Sequence, residues 1–474
     1  MRICVILEGC YPYVTGGVST WIHQYMKAMP HHEFVVWAIG ANASDRGKFK
    51  YELPANVVEV KEIFLDEAFS MRFRKEKYKF SEEEVRALRD FINCQKPDWE
   101  LLFQMYHDRK ISPITFLMSE DFLKIMMDLC REEYPYTSFS DFFHTARSMF
   151  LPVLYTLQTD VPKADMYHSI ATGYAGVLAR LGSYVYHVPY EITEHGIYTR
   201  EREEEIIRAK WVLPAFKRLW VRFFYMLSGA AYEKATMITS LFARAMSIQI
   251  EMGCDKDKCR YITNGIHFER FVNIPLKREN GYVDIGAILR ISPIKDVKTL
   301  LYAFSELKER VPNVRLYVAG PEDDEEYAKE CYALKEQLGL QDVYFPGTVN
   351  TLEYIEKFDF TVLSSISEGQ PLAVLESFAA GRPCVVTDVG CCRELINGME
   401  GDTLGPAGYC VPPMHREALC AAMERMCIHH EERYQMGQTG KKRIAQFFRH
   451  ENMIHNYEKA YDEVFRRWQE LDSV

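Results

Sequence analysis

The chain has 474 residues, 48% of them hydrophobic, and a net charge of −10 at pH 7. Its length is about three times that of a typical domain, so we expect two globular domains with large cores. The acidic balance argues against a protein built to grip nucleic acid, although a local basic cleft could still hold an anion. Thirteen cysteines without a C-x-x-C pair predict free thiols in a reducing compartment, and neither a disulfide framework nor a zinc site.

The first part of the chain has the pattern of an open α/β sheet. RICVIL is a short β-branched run that predicts a buried parallel strand, and a loop, a helix at about 18–29 and a second strand, HEFVVWAIG, follow it. Charged and aromatic residues then recur at helical spacing, which predicts a helical insertion at about 62–150. Further strand patterns are ADMYHSI, VPYEITEH, TMITSL and CRYITNGI.

The second part repeats the alternation of strands and helices. The polar stretch Val272–Tyr282 contains Pro and Gly and predicts a hinge. Five strand patterns follow it, each with a helical pattern behind it: DIGAIL, VRLYVAG, VYFPG, FTVLSS and CVVTD. We therefore expect an N-terminal domain at 1–275, a C-terminal domain at 276–450, and a last helix at 451–474 that crosses back. Ligands should lie beyond the carboxyl ends of the strands.

One strand–helix unit, SEGQPLAVLE at 367–376, carries two carboxylates at places suited to a ligand. Pro371 suits the first helical position, and the helix start offers free N–H groups to an anion. Gly369 lets the backbone approach that anion closely. Glu376 lies about 7.5 Å along the axis, where it could accept hydrogen bonds from a ribose diol. Glu368 would face the group on the other side of the phosphate, unless it is simply a solvated loop residue.

A second segment, ILRISPIKD, supplies Arg290 and Lys295 directly after a predicted strand. A guanidinium grips phosphate with two hydrogen bonds, and an ammonium acts as a mobile point charge. Two such cations could stabilise a departing diphosphate without a metal. Considered alone, they could equally be surface cations. Asp255–Asp257 forms a D-x-D, but in a turn rich in Gly and Cys, so we predict no metal site.

These motifs together resemble the donor half of the retaining GT-B glycosyltransferases of family 4. The resemblance rests on Arg290 and Lys295, on the E-x7-E of Glu368 and Glu376, and on AAGRPCVVTDVGCCREL. YITNGI is similar to the family's segment before the second domain, although His267 stands where Asp is usual. LEGCYPYVTGGVSTWIHQ and TEHGIYTRER resemble the PelF-type enzymes of Pel exopolysaccharide assembly. The resemblance implies an α/β fold of two Rossmann-like, doubly wound domains that face each other across a cleft.

The resemblance also implies residue roles. His195 and Glu368 would be catalytic, with His195 contacting the transferred sugar. The donor-binding residues would be Gly16, Gly17, Arg290, Lys295, Val349, Gly369, Gln370, Pro371, Leu372 and Glu376. The residues alone leave a structural alternative for each. Gly16 and Gly17 could simply form a tight turn between a strand and a helix, and His195 could have a structural role. His168 is a weaker candidate than His195.

We expect from this a cytoplasmic, metal-independent, retaining hexosyltransferase without a cofactor. It would move a hexose, with glucose the expected one, from a UDP-sugar to a growing exopolysaccharide. The alternatives are a sugar-nucleotide epimerase that uses Glu368 and Glu394, and a non-catalytic subunit of a membrane polysaccharide synthase. The stretch Trp211–Tyr232 contains Pro214 and three cations, so it predicts no membrane span. A helix packed within its own domain is the favoured interpretation, and the alternatives are a helix at the inner face of a membrane or against a partner protein.

Overall fold

The computed structural model of the protein describes residues 1–72 and 78–472. Its residues divide into two compact units. The N-terminal unit comprises Met1–Ser240, Met246–Tyr261 and Glu458–Val474, and the C-terminal unit comprises Leu241–Ala245 and Ile262–Tyr457. The end of the chain therefore belongs with its beginning. Residues 73–77 of the predicted insertion and residues 473–474 of the predicted last helix lie outside the described residues, and the predicted domain limits stay predictions.

The N-terminal unit contains a parallel sheet of seven strands. They are β1 (Arg2–Glu8), β2 (Glu33–Gly40), β3 (Val57–Phe64), β4 (Met166–Ser169), β5 (Tyr190–Glu194), β6 (Met237–Ser240) and β7 (Cys259–Tyr261). Their spatial order is β3-β2-β1-β4-β5-β6-β7, so the winding direction reverses between β1 and β4. This is a doubly wound, Rossmann-like sheet. Strands such as β1 are short, apolar and buried because helices cover both faces of a parallel sheet.

Ten helices begin between residues 17 and 243 of the described chain. They are α1 (Gly17–Ala28), α2 (Glu82–Ile92), α3 (Trp99–Phe103), α4 (Pro113–Leu117), α5 (Glu120–Glu133), α6 (Phe139–Thr156), α7 (Gly173–Tyr186), α8 (Tyr198–Arg208), α9 (Lys217–Lys234) and α10 (Ala243–Glu251). Helices α2 to α6 lie between β3 and β4 in the sequence, which confirms a helical insertion in this sheet. Ser81 begins it with a capping box, in which its hydroxyl accepts from Glu84 N and the Glu84 carboxylate accepts from Ser81 N.

The C-terminal unit contains a second parallel sheet, of six strands. They are β8 (Val283–Ile288), β9 (Val314–Ala319), β10 (Val343–Gly347), β11 (Phe360–Leu363), β12 (Cys384–Thr387) and β13 (Gly408–Val411). Their order is β10-β9-β8-β11-β12-β13, with the reversal between β8 and β11. Its helices are α11 (Val297–Arg310), α12 (Glu325–Gln337), α13 (Thr351–Ile355), α14 (Leu372–Ala379), α15 (Cys392–Asn397), α16 (Arg416–Ile428), α17 (His430–Phe447) and the first part of α18 (His450–Asp472). A second Rossmann-like sheet is confirmed.

Each unit has a hydrophobic core of its own. Two strands, β3 and β13, were not predicted, and the predicted strand CRYITNGI ends at Tyr261 instead of continuing to residue 266. Within the described ranges, every helix is too short or too polar to cross a lipid bilayer.

Candidate functional site

The candidate residues of the C-terminal unit lie in loops that follow neighbouring strands. Arg290 and Lys295 follow β8, Glu368 follows β11, and β8 pairs in parallel with β11. A main-chain hydrogen bond of 2.8 Å from Ile366 N to Ile294 O joins the two loops. Because the strand order reverses between β8 and β11, these loops flank the place where open α/β sheets bind ligands.

Lys295 and Glu368 form an ion pair in this place. Lys295 Nζ lies 2.5 Å from Glu368 Oε1, and the Ser365 hydroxyl donates to the same oxygen at 2.6 Å. The two charged side chains are only 15% and 11% exposed. The structure thus brings together two of the predicted residues, and it holds the ammonium in a fixed position. Sequence reasoning missed Ser365, although its position three residues before Glu368 is a usable signal.

Arg290 has a looser environment. Its guanidinium pairs with Asp323 at 2.6 Å, and both side chains are about half exposed. Exposed pairs of this kind contribute about 0–1 kcal/mol, so Arg290 can exchange Asp323 for a ligand phosphate at little cost. The loop after β9 lies against the main chain of Leu289 and Arg290. Only glycine fits at position 320, because φ is +156° there and a Cβ would lie 1.8 Å from Leu289 O.

The turn after β12 packs against the loop before α14. Cys391 N donates to Gly369 O at 3.1 Å, and Gly390, with φ +54°, leaves no room for a Cβ against Gly369 O. Four main-chain N–H groups of this loop and helix start donate to no described residue: those of Gly369, Gln370, Leu372 and Ala373. Such a set of free donors, at the positive end of a helix, is suited to an anion.

The position of Pro371 differs from the prediction. Its φ of −73° and ψ of 110° are extended, so Pro371 is the N-cap of α14 and the helix begins at Leu372. The prediction that Pro371 occupies the first helical position is therefore wrong by one residue. The physical argument survives, because a proline lacks an N–H group at either position.

Glu376 lies in the second turn of α14, four residues after Leu372. Its carboxylate makes no hydrogen bond or ion pair with any residue that the structure describes. Burial raises the pKa of Glu376 to about 7, and the positive charge of Arg270 opposes this rise in part. Keeping a carboxylate without a partner in such surroundings costs stability.

The two remaining candidates of this unit differ in environment. Val349 follows β10, and β9 separates that strand from β8. Gln370 is buried, and its side-chain amide bonds to Asn264: Asn264 N donates to Gln370 Oε1 at 2.7 Å, and Gln370 Nε2 donates to Asn264 O at 3.4 Å. Sequence reasoning missed Asn264 as a partner of this loop, since nothing local signals a contact between residues 106 positions apart.

In the N-terminal unit, His195 packs against the helix that follows the glycine pair. His195 follows β5, and its ring lies edge-on to Trp21 of α1 with 4.4 Å between the centroids. His195 Nε2 has no hydrogen-bond partner within the described ranges. Burial lowers the pKa of His195 to about 4, so the imidazole is neutral near pH 7. Glu194, the residue before it, is held by Tyr232 and Gln249 at 2.5 and 2.7 Å, which fixes the end of β5.

The glycines that begin α1 have no local packing reason. A Cβ added at Gly16 or Gly17 would meet no atom within 4 Å, and Gly16 has an extended φ of 176° that any residue adopts. A tight turn therefore does not require glycine here. His168, the weaker candidate, is fully buried with its ring nitrogens 2.8 Å from Tyr461 Oη and Thr193 Oγ1, so its role is structural.

Residues 255–257 do not form part of a site. Asp255 accepts a hydrogen bond from Asp257 N at 3.0 Å and caps a short 3₁₀ turn. Throughout residues 1–72 and 78–472, no group of three or more His, Cys, Asp or Glu side chains could hold a metal ion.

Comparison with known proteins divides the chain in the same way. Residues 1–257 match the family model described as "Domain of unknown function (DUF3492)". Residues 273–443, which include the loops around Lys295 and Glu368, match the model "Glycosyl transferases group 1".

Curated relatives are enzymes that act on sugars. The MMP alpha-(1->4)-mannosyltransferase of Mycolicibacterium hassiacum is 24% identical over 59% of this chain. The alpha-monoglucosyldiacylglycerol synthase of Streptococcus pneumoniae is 31% identical over 27% of it. The N-acetyl-alpha-D-glucosaminyl L-malate synthase of Bacillus anthracis is 27% identical over 44% of it. The chain spans 66%, 32% and 53% of the lengths of these three proteins, respectively.

Solved structures share the fold over nearly the whole chain. Anabaena HepE in complex with UDP and glucose matches with a TM-score of 0.60 and 14% identity, over 97% of this chain and 99% of its own. WaaG, a glycosyltransferase involved in lipopolysaccharide biosynthesis, matches with a TM-score of 0.56 and 12% identity, over 98% and 99%. The predicted GT-B fold class is thus confirmed. The chain belongs to the family described as "Domain of unknown function (DUF3492)", and its C-terminal unit carries a group 1 glycosyl transferase domain.

Proposed function

We propose that this protein is a retaining glycosyltransferase that transfers a hexose from a UDP-sugar, with UDP-glucose the expected donor, to a growing saccharide. One observation carries the proposal. At the reversal of strand order in the C-terminal unit, the Lys295–Glu368 pair lies beside a loop with four free main-chain N–H groups and a helix with an unpaired carboxylate, Glu376. Cations, free N–H donors and a carboxylate acceptor are the groups that a nucleoside diphosphate sugar needs.

Each group of the C-terminal unit has a separate role in this proposal. Lys295 and Arg290 hold the diphosphate and stabilise the negative charge that develops as it departs. The N–H groups at the start of α14 bind the same phosphates. Glu376 accepts hydrogen bonds from the ribose hydroxyls, and Glu368 turns toward the hexose once Lys295 has a phosphate partner.

The residues of the N-terminal unit take their roles from the family 4 resemblance. His195 contacts the transferred sugar, and its neutral ring can donate or accept one hydrogen bond. The main chain at Gly16 and Gly17 approaches the sugar and the diphosphate. No residue among the candidates is an obvious covalent nucleophile, so we propose a front-face reaction. The acceptor hydroxyl bonds to the anomeric carbon as the bond to the diphosphate breaks, and a phosphate oxygen takes the hydroxyl proton.

The biological setting is also a proposal. The similarity of the N-terminal motifs to PelF-type enzymes favours exopolysaccharide assembly and action next to a membrane polysaccharide synthase. The relative named as an alpha-monoglucosyldiacylglycerol synthase is compatible with such a setting. The expectation of a metal-independent reaction rests on Arg290 and Lys295 taking the place of a metal at the diphosphate.

Calorimetry with a panel of nucleotide sugars tests the proposal. UDP-glucose should bind to the wild-type protein and much more weakly to Lys295→Met. Lys298→Met is the matched control, because Lys298 lies three residues further on in an exposed pair with Glu330. The absence of binding by any UDP-sugar would refute the proposed donor class.

The product decides between the remaining possibilities. With a saccharide acceptor, nuclear magnetic resonance should show a glycoside with the anomeric configuration of the donor, and an inverted product would refute retention. Incubation of the protein with UDP-glucose alone should give no epimer. The appearance of one would favour the epimerase alternative, in which Glu368 and Glu394 act on the sugar.

A further inference from the structure

Gln370 lies in the loop before α14, which is proposed to bind the nucleotide sugar. Its side chain, however, forms hydrogen bonds within the protein. The carbonyl oxygen of its amide accepts from Asn264 N at 2.7 Å, and its NH₂ group donates to Asn264 O at 3.4 Å. Gln370 and Asn264 are only 7% and 5% exposed. Both functions of the amide are therefore bound to the main chain of one residue that is 106 positions away in the sequence.

The segment that contains Asn264 is itself held by main-chain hydrogen bonds to the start of α18. Ile266 N donates to Phe448 O at 2.9 Å, and His450 N donates to Ile266 O at 2.9 Å. Between them Gly265 passes so close to the chain that a Cβ would lie 2.3 Å from Arg449 O. The segment that holds Gln370 is thus itself held on its other side by the start of α18.

The opposite end of α14 is tied to the same stretch of chain. Arg382 is fully buried and donates to Ala380 O, at the C-cap of α14, at 2.5 Å. The same guanidinium donates to Pro275 O, also at 2.5 Å. The helix that carries Glu376 is consequently braced at both ends against residues 264–275, through Gln370 at its start and Arg382 at its end.

We infer that the side chain of Gln370 is a positioning group, while its main-chain N–H stays among the free N–H groups proposed to bind the phosphates. Its amide holds the Gly369–Ala373 main chain so that the free N–H groups already point to where the phosphates bind. N–H groups that are already ordered in the free protein do not lose conformational entropy when the ligand binds. This raises the affinity without adding a contact. This inference rests on the proposed function for the identity of the ligand, but the hydrogen bonds between Gln370 and Asn264 do not depend on it.

The test compares Gln370→Met with the wild-type protein. Methionine keeps the length of the side chain and removes both hydrogen bonds. The dissociation constants of UDP and of UDP-glucose should rise by the same factor, about tenfold, which corresponds to 1.4 kcal/mol. Hydrogen exchange of the ligand-free protein should quicken at two amides, that of Asn264, which donates to Gln370, and that of Cys391, which donates to Gly369.

Two further variants complete the test. Gln341→Met makes the same change at an exposed position of the C-terminal unit and should alter neither affinity nor exchange. Gln370→Glu keeps an acceptor for Asn264 N but loses the donor, so it should quicken exchange at Asn264 less than Gln370→Met does. Its negative charge repels a diphosphate, so only the exchange of this variant is compared. It also takes the place of Gln370→Met if the latter does not fold.

Several results would overturn the inference. A loss of affinity for UDP-glucose with unchanged affinity for UDP would mean that Gln370 touches the sugar. Unchanged exchange at Asn264 and Cys391, or unchanged affinity for both ligands, would mean that Gln370 does not position the loop. If the wild-type protein binds neither ligand, the proposed function fails, while the exchange of the ligand-free variants still decides the role of Gln370.

Discussion

Replacing Glu376 with Gln should stabilise the free protein above pH 7. Burial raises the pKa of Glu376 from an ordinary 4.5 to about 7. Between these values the folded protein binds more protons than the unfolded chain, so the stability falls as the pH rises from 4.5 to about 7. A shift of this size corresponds to about 3 kcal/mol lost at pH 8. Glutamine is neutral at every pH and does not incur that loss.

The same substitution should weaken the binding of UDP-glucose, with the opposite dependence on pH. Ribose hydroxyls donate to the ionised carboxylate, so the wild-type affinity should rise through the pKa, by about tenfold between pH 6 and pH 8. Glu376→Gln should bind more weakly at pH 8 and show no such rise. His195 does not contribute to this slope, because its pKa of about 4 keeps it neutral throughout.

Thermal unfolding and calorimetry measure the two effects. At about 2–4 °C per kcal/mol for a domain of this size, the unfolding midpoint of the C-terminal unit should rise by roughly 6–12 °C at pH 8 and hardly change at pH 4.5. Glu336→Gln is the matched control, because that carboxylate is 79% exposed. The reasoning is refuted if Glu376→Gln is no more stable than the wild-type protein at pH 8, or if the wild-type affinity is independent of pH.

Three further substitutions test the rest of the site. Lys295→Met should destabilise the C-terminal unit by about 3 kcal/mol, because it leaves the largely buried Glu368 carboxylate without its cation. In denaturant unfolding, the double variant with Glu368→Gln should recover part of this stability. Additive losses in the two single variants would contradict a direct pair. His195→Ala should lower turnover by at least about tenfold while leaving the affinity for UDP unchanged, since it removes a contact to the sugar alone; a parallel loss of UDP affinity in calorimetry would count against that role. Gly17→Ala should leave the unfolding temperature unchanged or slightly higher, since no atom lies within 4 Å of the new Cβ, and should raise the KM for the donor; an unaltered KM would show that no ligand approaches Gly17.

The sequence predicted the central strands of both sheets and one edge strand of each, β7 and β10, and it missed the other two edge strands, β3 and β13. Inner strands such as β1 are buried on both faces, so they read as continuous apolar runs. β3 pairs only with β2 and carries Glu59 and Lys61 at partly exposed positions, so its pattern resembles that of a polar segment. β13 has only four residues between Pro406 and Pro412, and prolines so close together are typical of turns.

The sequence predicted the residues of the site that follow strand ends. It did not predict the contacts that depend on how loops pack around α14. Lys295 and Glu368 are 73 residues apart, yet both follow predicted parallel strands, whose carboxyl ends meet at one edge of a sheet. The link between Gln370 and Asn264 depends instead on how the chain packs around α14. Sequence spacing contains no information on that packing, so the sequence predicted donor binding by the main chain at residues 369–372 and gave no role to the Gln370 side chain.

Three features of the two units lower stability without helping the fold. Glu376 is a carboxylate without a partner in a partly buried helix, and His195 Nε2 is buried without a hydrogen bond. Gly17 begins α1 where an alanine would fit and would favour the helix. His195 lies directly after β5, Gly17 begins the helix that follows β1, and Glu376 lies in the helix that follows β11. In the C-terminal unit, a ligand that donates to Glu376 would offset the cost of its unpaired carboxylate. In the N-terminal unit, a ligand that bonds to His195 or lies against Gly17 would offset the other two costs. Each unit taken by itself therefore contains groups whose cost to the free protein is best explained by a ligand.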